Sequence, residues 1–276
     1  HHLFADGYLP QPLTFAAAAA ARTVHVRIGT AVLLAALRPA ALVAEEVAVI
    51  DQLSNGRLEL GIGAGYSVPE YELYNTDITK RYGLTDAAVA EIRRLLDDGI
   101  VTPPAAQNPF PIWLGYQGPQ GAKRAGRLGV GLLSLDRALL EPYCEGLVEG
   151  GHDPAVARTG GMLDIIVADD PETAFERILP HYAHQLNSYR AAAAAGSGRD
   201  APREITIEKL RGGAAKTGQI PGLRVLTPTD AVNAIHEATN GSPVEHVYLW
   251  ASVAGMPAEL VERHVELTCT QVAPNL

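Results

Sequence analysis

Cysteine is scarce in this chain. Cys144 and Cys269 are its two cysteines, and they lie far apart. That excludes a disulfide framework and any cysteine-based metal spacing, and it suits free thiols in a reducing cytoplasm. Positive charge is also short: 22 Lys and Arg stand against 31 Asp and Glu, a net charge of −9. A nucleic-acid surface would want a basic patch instead. No apolar run approaches the roughly 20 residues of a membrane span, and no secretory leader pattern precedes the first helical stretch. No G-x-S-x-G marks a serine nucleophile, and no group of His, Cys and Asp has metal-ligand spacing. The expectation is a protein without a nucleic-acid partner, a membrane partner or a metal.

What the chain does have is apolar residues, 47% of 276, enough to bury a sizeable core in one domain. The stretch from Val26 to Tyr66 organises the rest. V-R-I-G-T-A-V-L-L has the length of a buried strand. Pro39 then suits the first turn of a helix. Leu42, Val43, Val47, Ile50 and Leu53 make an apolar stripe, and Asn55-Gly56 supplies a left-handed stop. Leu58, Leu60 and Ile62 resume a strand, whose end Gly61, Gly63 and Gly65 leave bare. Two buried strands joined by one helix imply a parallel sheet with a right-handed crossover.

Strands are expected near 26–32, 58–64, 111–115, 130–135, 162–168 and 244–250. Helices are expected at 13–22, 86–96, 139–150 and 258–271. Others start at Asp170, a side-chain cap before Pro171, and at Thr227. Residues 203–224 have no clear period and read as an excursion over the active face.

R-I-G-T-A-V-L-L, A-E-E-V-A-V-I-D-Q-L-S-N-G-R and L-E-L-G-I-G-A-G-Y resemble the bacterial luciferase-like flavin-dependent oxidoreductases. P-I-W-L-G with R-A-G-R-L-G, and the closing V-Y-L-W-A-S-V-A-G-M-P, resemble the same family in the right order. The resemblance implies one (β/α)8 TIM barrel, an α/β fold, over residues 1–276. It implies FMN or the related deazaflavin coenzyme F-420, and a first strand, first helix and most of a second strand ahead of His1. It also implies a small-molecule substrate, a flavin reductase as a possible partner, and a homodimer. One departure is Val130-Gly131, where the family commonly has Asp-Gly.

In a parallel barrel, ligands bind at the C-terminal ends of the strands. The resemblance brings four such ends together: His1-His2, Thr30-Ala31-Val32, Gly65-Tyr66 and Tyr116-Gln117-Gly118-Pro119-Gln120. His1 matches the first His of a family pair that acts as acid or base, a role its ordinary pKa of about 6.5 suits; the alternative is the end of an expression tag. The acidic residue that commonly precedes the pair is not in view. Ala31–Val32 matches a non-proline cis peptide beneath the flavin. The Gly115–Gly121 turn, ahead of a helix N-terminus, suits the flavin phosphate, with Lys123 and Arg124 adding charge. His2, Thr30, Val32, Gly65, Tyr66 and Tyr116 complete the expected cofactor contacts. His25, His152, His181, His184, His236, His246 and His264 read as surface or helix residues. Two other functions stay open: a non-catalytic flavin-binding barrel, and a metal-dependent barrel hydrolase, which the missing ligands disfavour.

Overall fold

The computed structural model describes residues 1–4, 8–211 and 222–276. Its contacts group into two compact units, His1–Gly160 and Gly161–Leu276.

The first unit opens with helix α1 (Pro12–Arg22) and the short strand β1 (Ile28–Gly29). Helix α2 (Ala40–Ser54) follows, with Pro39 just outside it as the N-cap residue. Asn55 at φ 57° and Gly56 at φ 76° end it in the left-handed region, as their side chains allow. The buried stripe of α2 is Val43, Ala44, Val47, Ala48 and Ile50, whereas Leu42 and Leu53 of the expected stripe point outward beside Val49. Strand β2 (Leu58–Ile62) is followed by helices α3 (Val68–Leu73) and α4 (Arg81–Asp97). Strand β3 (Ile112–Leu114), helix α5 (Gly118–Arg127), strand β4 (Gly131–Leu133), helix α6 (Leu140–Glu149) and strand β5 (Thr159–Leu163) complete the alternation.

The ladders β1–β2, β2–β3, β3–β4 and β4–β5 are all parallel. Their C-terminal ends therefore point one way. Leu58, Leu60, Ile62, Ile112, Leu114 and Leu132 are fully buried against Val43, Val47, Val89 and Ile92 of the flanking helices. Each such side chain contributes roughly 1.5–3 kcal/mol on burial. Asp51 of α2 is wholly buried and accepts from the Gln107 backbone N–H (2.9 Å) and side-chain amide (2.8 Å), which ties the loop before β3 to α2.

The second unit carries strand β6 (Ile165–Val167), the long helix α7 (Pro171–Ala194) and the short helix α8 (Ile207–Arg211). Strand β7 (Arg224–Leu226), helix α9 (Pro228–Thr239), strand β8 (Val244–Leu249) and helix α10 (Ala258–Leu267) complete it, with a π turn at Thr268–Val272. Asp170 caps α7 through the Thr173 N–H (3.2 Å). β6 and β7 pair in parallel.

Several expected elements need correction. The strand expected near 26–32 is confined to Ile28–Gly29. The strand near 162–168 is two strands, β5 and β6. The run read as an excursion contains α8 and the first residue of β7, elements too short to show a period, while its residues 212–221 lie outside the described ones. The helix expected at 86–96 starts earlier, at Arg81.

His264 is in a helix, as expected, but it is no surface residue: it is 2% exposed. Its Nδ1 accepts the Val167 N–H (2.8 Å) and its Nε2 donates to the Trp250 carbonyl (2.8 Å). Burial lowers its pKa below the ordinary 6.5, and a proton on Nδ1 would break the bond from Val167. The sign follows: below pH 6.5 the unfolded chain takes a proton that the folded one refuses, so stability falls as pH drops. His264→Gln should remove this component, worth up to about 1.4 kcal/mol per pH unit. Urea midpoints of both proteins at pH 7.5 and 5.0 check it; equal losses in the two would count against it.

Candidate functional site

Beyond β1 the chain leaves the ladder and crosses the end of β2. Thr30 Oγ1 donates to the Gly61 carbonyl (2.7 Å), and so does the Leu33 N–H (2.8 Å). The Gly63 N–H returns a bond to the Leu33 carbonyl (3.0 Å). Between these anchors the Ala31–Val32 peptide is cis. A Cβ on Gly61 would lie 1.9 Å from the Thr30 carbonyl oxygen, and one on Gly63 2.3 Å from Val32 Cγ2. Glycine is thus required at both places by close approach. Val32 Cγ1 also rests over Gly115, at 2.9 Å from the position of a Cβ there. Thr30 is buried, while Ala31 and Val32 face open space. The ends of β1, β2 and β3 therefore meet at one place.

The loop after β2 brings in the histidines. Gly65 adopts φ 67° beside Leu34, and Tyr66 and α3 follow. Glu70, in the first turn of α3, is wholly buried. Its carboxylate accepts from His1 Nδ1 (3.1 Å) and from the His2 backbone N–H. His1 Nε2 faces the Tyr66 hydroxyl at 3.2 Å. The His1 ring stacks on Phe4 (4.2 Å between centroids) and meets Tyr66 edge-on (5.1 Å). The phenol pKa of Tyr66 is raised, by burial first and then by the Glu70 and Tyr8 charges, so Tyr66 is a neutral donor at physiological pH. The His2 imidazole turns the other way, to the Tyr74 hydroxyl (3.3 Å), and is buried. Burial lowers its pKa.

The start of α5 is open. Gln117 at the N-cap is extended, and its side chain caps nothing. Gly118 has φ 70° with no atom within 4 Å of a would-be Cβ, and Pro119 has no N–H. The helix dipole and first-turn N–H groups are left to an outside acceptor. Gln117, Pro119 and Gln120 are exposed.

Tyr116 differs from them: it is buried, and its hydroxyl donates to Asp86 Oδ1 (2.8 Å). Burial and then Asp86 raise its pKa. Lys123 is held by Glu145 (3.0 Å) and Glu149 (2.9 Å), and Arg124 by Asp86. Neither adds charge at the helix start, contrary to expectation. The cation that sequence reasoning missed is Arg81. Its guanidinium lies over the Tyr82 ring (4.6 Å), and that ring meets Tyr116 edge-on (5.5 Å). Its Nε is buried without a hydrogen-bond partner among the described residues.

Glu70 was the other omission. The run Ser67-Val68-Pro69-Glu70 has the spacing of a capping box, which would assign Glu70 to the helix end. Ser67 makes no side-chain cap, and Glu70 points to the histidines instead. Among the described residues no group of three His, Cys, Asp or Glu could hold a metal, and no helix is long and apolar enough to cross a membrane.

A sequence model described as luciferase-like monooxygenase matches residues 1–219. The chain is 31% identical over 190 residues to an F420-dependent glucose-6-phosphate dehydrogenase of Beutenbergia cavernae, covering 61% of this chain and 56% of that protein. It spans 56% to 62% of the length of four curated relatives. A monooxygenase structure, RslO1 from Streptomyces bottropensis, superimposes with a TM-score of 0.77 at 23% identity, over 99% of this chain and 86% of that one. The oxygenating constituent of a type II Baeyer–Villiger monooxygenase from Pseudomonas putida, solved with FMN, gives 0.67 at 18%, over 98% and 85%. These likenesses establish the luciferase-like (β/α)8 fold.

Gly61→Ala tests the crossing. The added methyl meets the Thr30 carbonyl, so the mutant should lose about 1–3 kcal/mol, the usual cost of overpacking. A urea melt with unchanged midpoint would show that the chain at Thr30 yields freely.

Proposed function

The chain belongs to the luciferase-like monooxygenase family, and on that premise we propose that it is a flavin-dependent monooxygenase. It takes FMN where the ends of β1, β2 and β3 meet, and acts on a small organic substrate. The observation that carries this is the uncapped start of α5 together with the unpartnered Nε of Arg81. A phosphate fits both: helix N–H groups and a guanidinium are its natural partners.

In this reading Gln117, Gly118, Pro119 and Gln120 hold the phosphate end, with Arg81 adding charge. Thr30, Ala31 and Val32 form a wall of small side chains for the flat ring, flanked by Gly65 and Tyr66. His2 and Tyr116 shape the site through their neighbours, Tyr74 and Asp86. Bound flavin supplies the electron chemistry. His1 supplies acid–base chemistry at Nε2, beside the Tyr66 donor. Val32, packed over Gly63 and Gly115, keeps water from that side of the site.

A second reading is hydride transfer with the deazaflavin coenzyme. The curated relative from Beutenbergia cavernae carries that dependence in its name. Both coenzymes carry a phosphate on the chain attached to the ring, so the α5 turn serves either. A flavin reductase would supply reduced FMN under the first reading. The outward face of α2, with Leu42, Val49 and Leu53 each about half exposed, supports a homodimer. The scarcity of cysteine supports a cytoplasmic setting.

Titration with FMN and with the deazaflavin, followed by fluorescence quenching, separates the readings. Tight FMN binding, with oxygen consumption once a reductase is added, supports the first; preference for the deazaflavin supports the second. Binding of either without turnover would favour a non-catalytic barrel. Gly118→Asp should weaken binding about tenfold, roughly 1.4 kcal/mol, because its carboxylate faces the phosphate. Arg81→Gln should weaken it in the same direction. Unchanged affinity in both would remove the α5 turn from the site.

A further inference from the structure

The acid–base reading of His1 leaves open which ring nitrogen carries the proton and what fixes the ring. We infer that Glu70 is the positioning residue of this site: its buried carboxylate holds His1 through Nδ1–H and leaves Nε2 facing Tyr66. This rests on the role proposed for His1, and it adds a residue whose sequence context pointed only to helix capping.

Glu70 is 0% exposed, whereas Glu72, two residues on, is exposed. A carboxylate taken out of water needs donors and a countercharge. Among the described residues the only ion-pair partner of Glu70 is His1, through Nδ1 at 3.1 Å from Oε1 and 3.2 Å from Oε2. The His2 backbone N–H adds a second donor to Oε1. An ionised carboxylate only accepts, so Nδ1 must carry the hydrogen, and in the neutral ring Nε2 is then the acceptor. The Tyr66 hydroxyl lies 3.2 Å from that atom. Tyr66 is 37% exposed, so this side of the ring, and not the Glu70 side, is where protons reach it. A base held by a third group through its far nitrogen is a recurring way to fix tautomer and direction.

Among the described residues the charged and titratable groups around the ring are few, and the His1 α-amino group also feels the Glu70 charge. Glu70 faces it from α3, Tyr66 from the loop after β2, and Tyr8 edge-on at 5.8 Å. His2 adjoins it in sequence, and Arg38 acts on His2. Among the described residues Glu70 is the one carboxylate against the ring, and its charge should favour the imidazolium form of His1. Gln at position 70 keeps the shape and an acceptor oxygen but loses that charge.

The test is a ring-nitrogen NMR titration of the full chain and of its Glu70→Gln variant, with His1 assigned from a His1→Asn variant. In the unmodified protein the neutral His1 ring should carry its proton on Nδ1. In Glu70→Gln its titration midpoint should fall by about one pH unit or more, and both tautomers should appear. An unmoved midpoint with an unchanged tautomer ratio overturns the inference. So does a proton on Nε2 in the neutral ring of the unmodified protein, a result that needs no variant to fold. A shifted midpoint, combined with unchanged turnover in His1→Asn, would uphold the Glu70 contact while refuting the acid–base role of His1. The two readings therefore fail separately.

Discussion

Everything at the candidate site depends on one close approach. The backbone from Thr30 to Leu33 crosses the end of β2 so tightly that Gly61 and Gly63 have no room for a Cβ. Hydrogen bonds from Thr30 Oγ1 and the Leu33 N–H to a single carbonyl, that of Gly61, hold it there. The crossing lays Val32 over Gly63 and Gly115 and so brings three strand ends together. Leu34, the residue just after it, lies beside the Gly65 turn, beyond which Tyr66 and α3 reach His1 and His2. A side chain at either glycine would lift the crossing and separate these parts.

The polar groups of the first unit divide into those already satisfied and those left open. Asp51 with Gln107, Asp86 with Tyr116 and Arg124, and the Trp113 indole with Glu59 (2.8 Å) are internal pairs that fix loops and strand ends. They follow the usual rule that buried polar atoms find partners. Against that background the uncapped first turn of α5 and the Nε of Arg81 are conspicuous. Both are positive in character, and both connect to Tyr116, one by sequence and one through the Tyr82 ring. In the proposed reading an anionic end of a cofactor satisfies them together, and Lys123 and Arg124, nearer in sequence, are already paired with carboxylates.

Local chemistry made much of the fold legible. The apolar runs of β2 and β3, the Asn55-Gly56 stop and the Asp170 cap each rest on propensities that act within a few residues. The short elements were not legible. β7 is three residues long, and a period of two cannot be recognised in so short a run. The division of 162–168 into β5 and β6 has the same origin. At the site, the glycines were visible as bare positions, but the sequence does not state which backbone would press on them.

The sequence by itself determined which residue types were available: paired histidines, glycine-bearing strand ends, a glycine turn before a helix, and almost no cysteine. These follow from composition and short-range spacing. Tertiary structure alone decided which of them act together. It selected Glu70 over Glu72, Arg81 over Lys123 and Arg124, and turned His2 toward Tyr74 while leaving His1 beside Tyr66. The physical reason is that burial and pairing depend on residues as far as 69 positions apart, as His1 and Glu70 are. No local pattern carries that information, because a carboxylate three residues after a serine is equally suited to capping its own helix or to reaching across to another element.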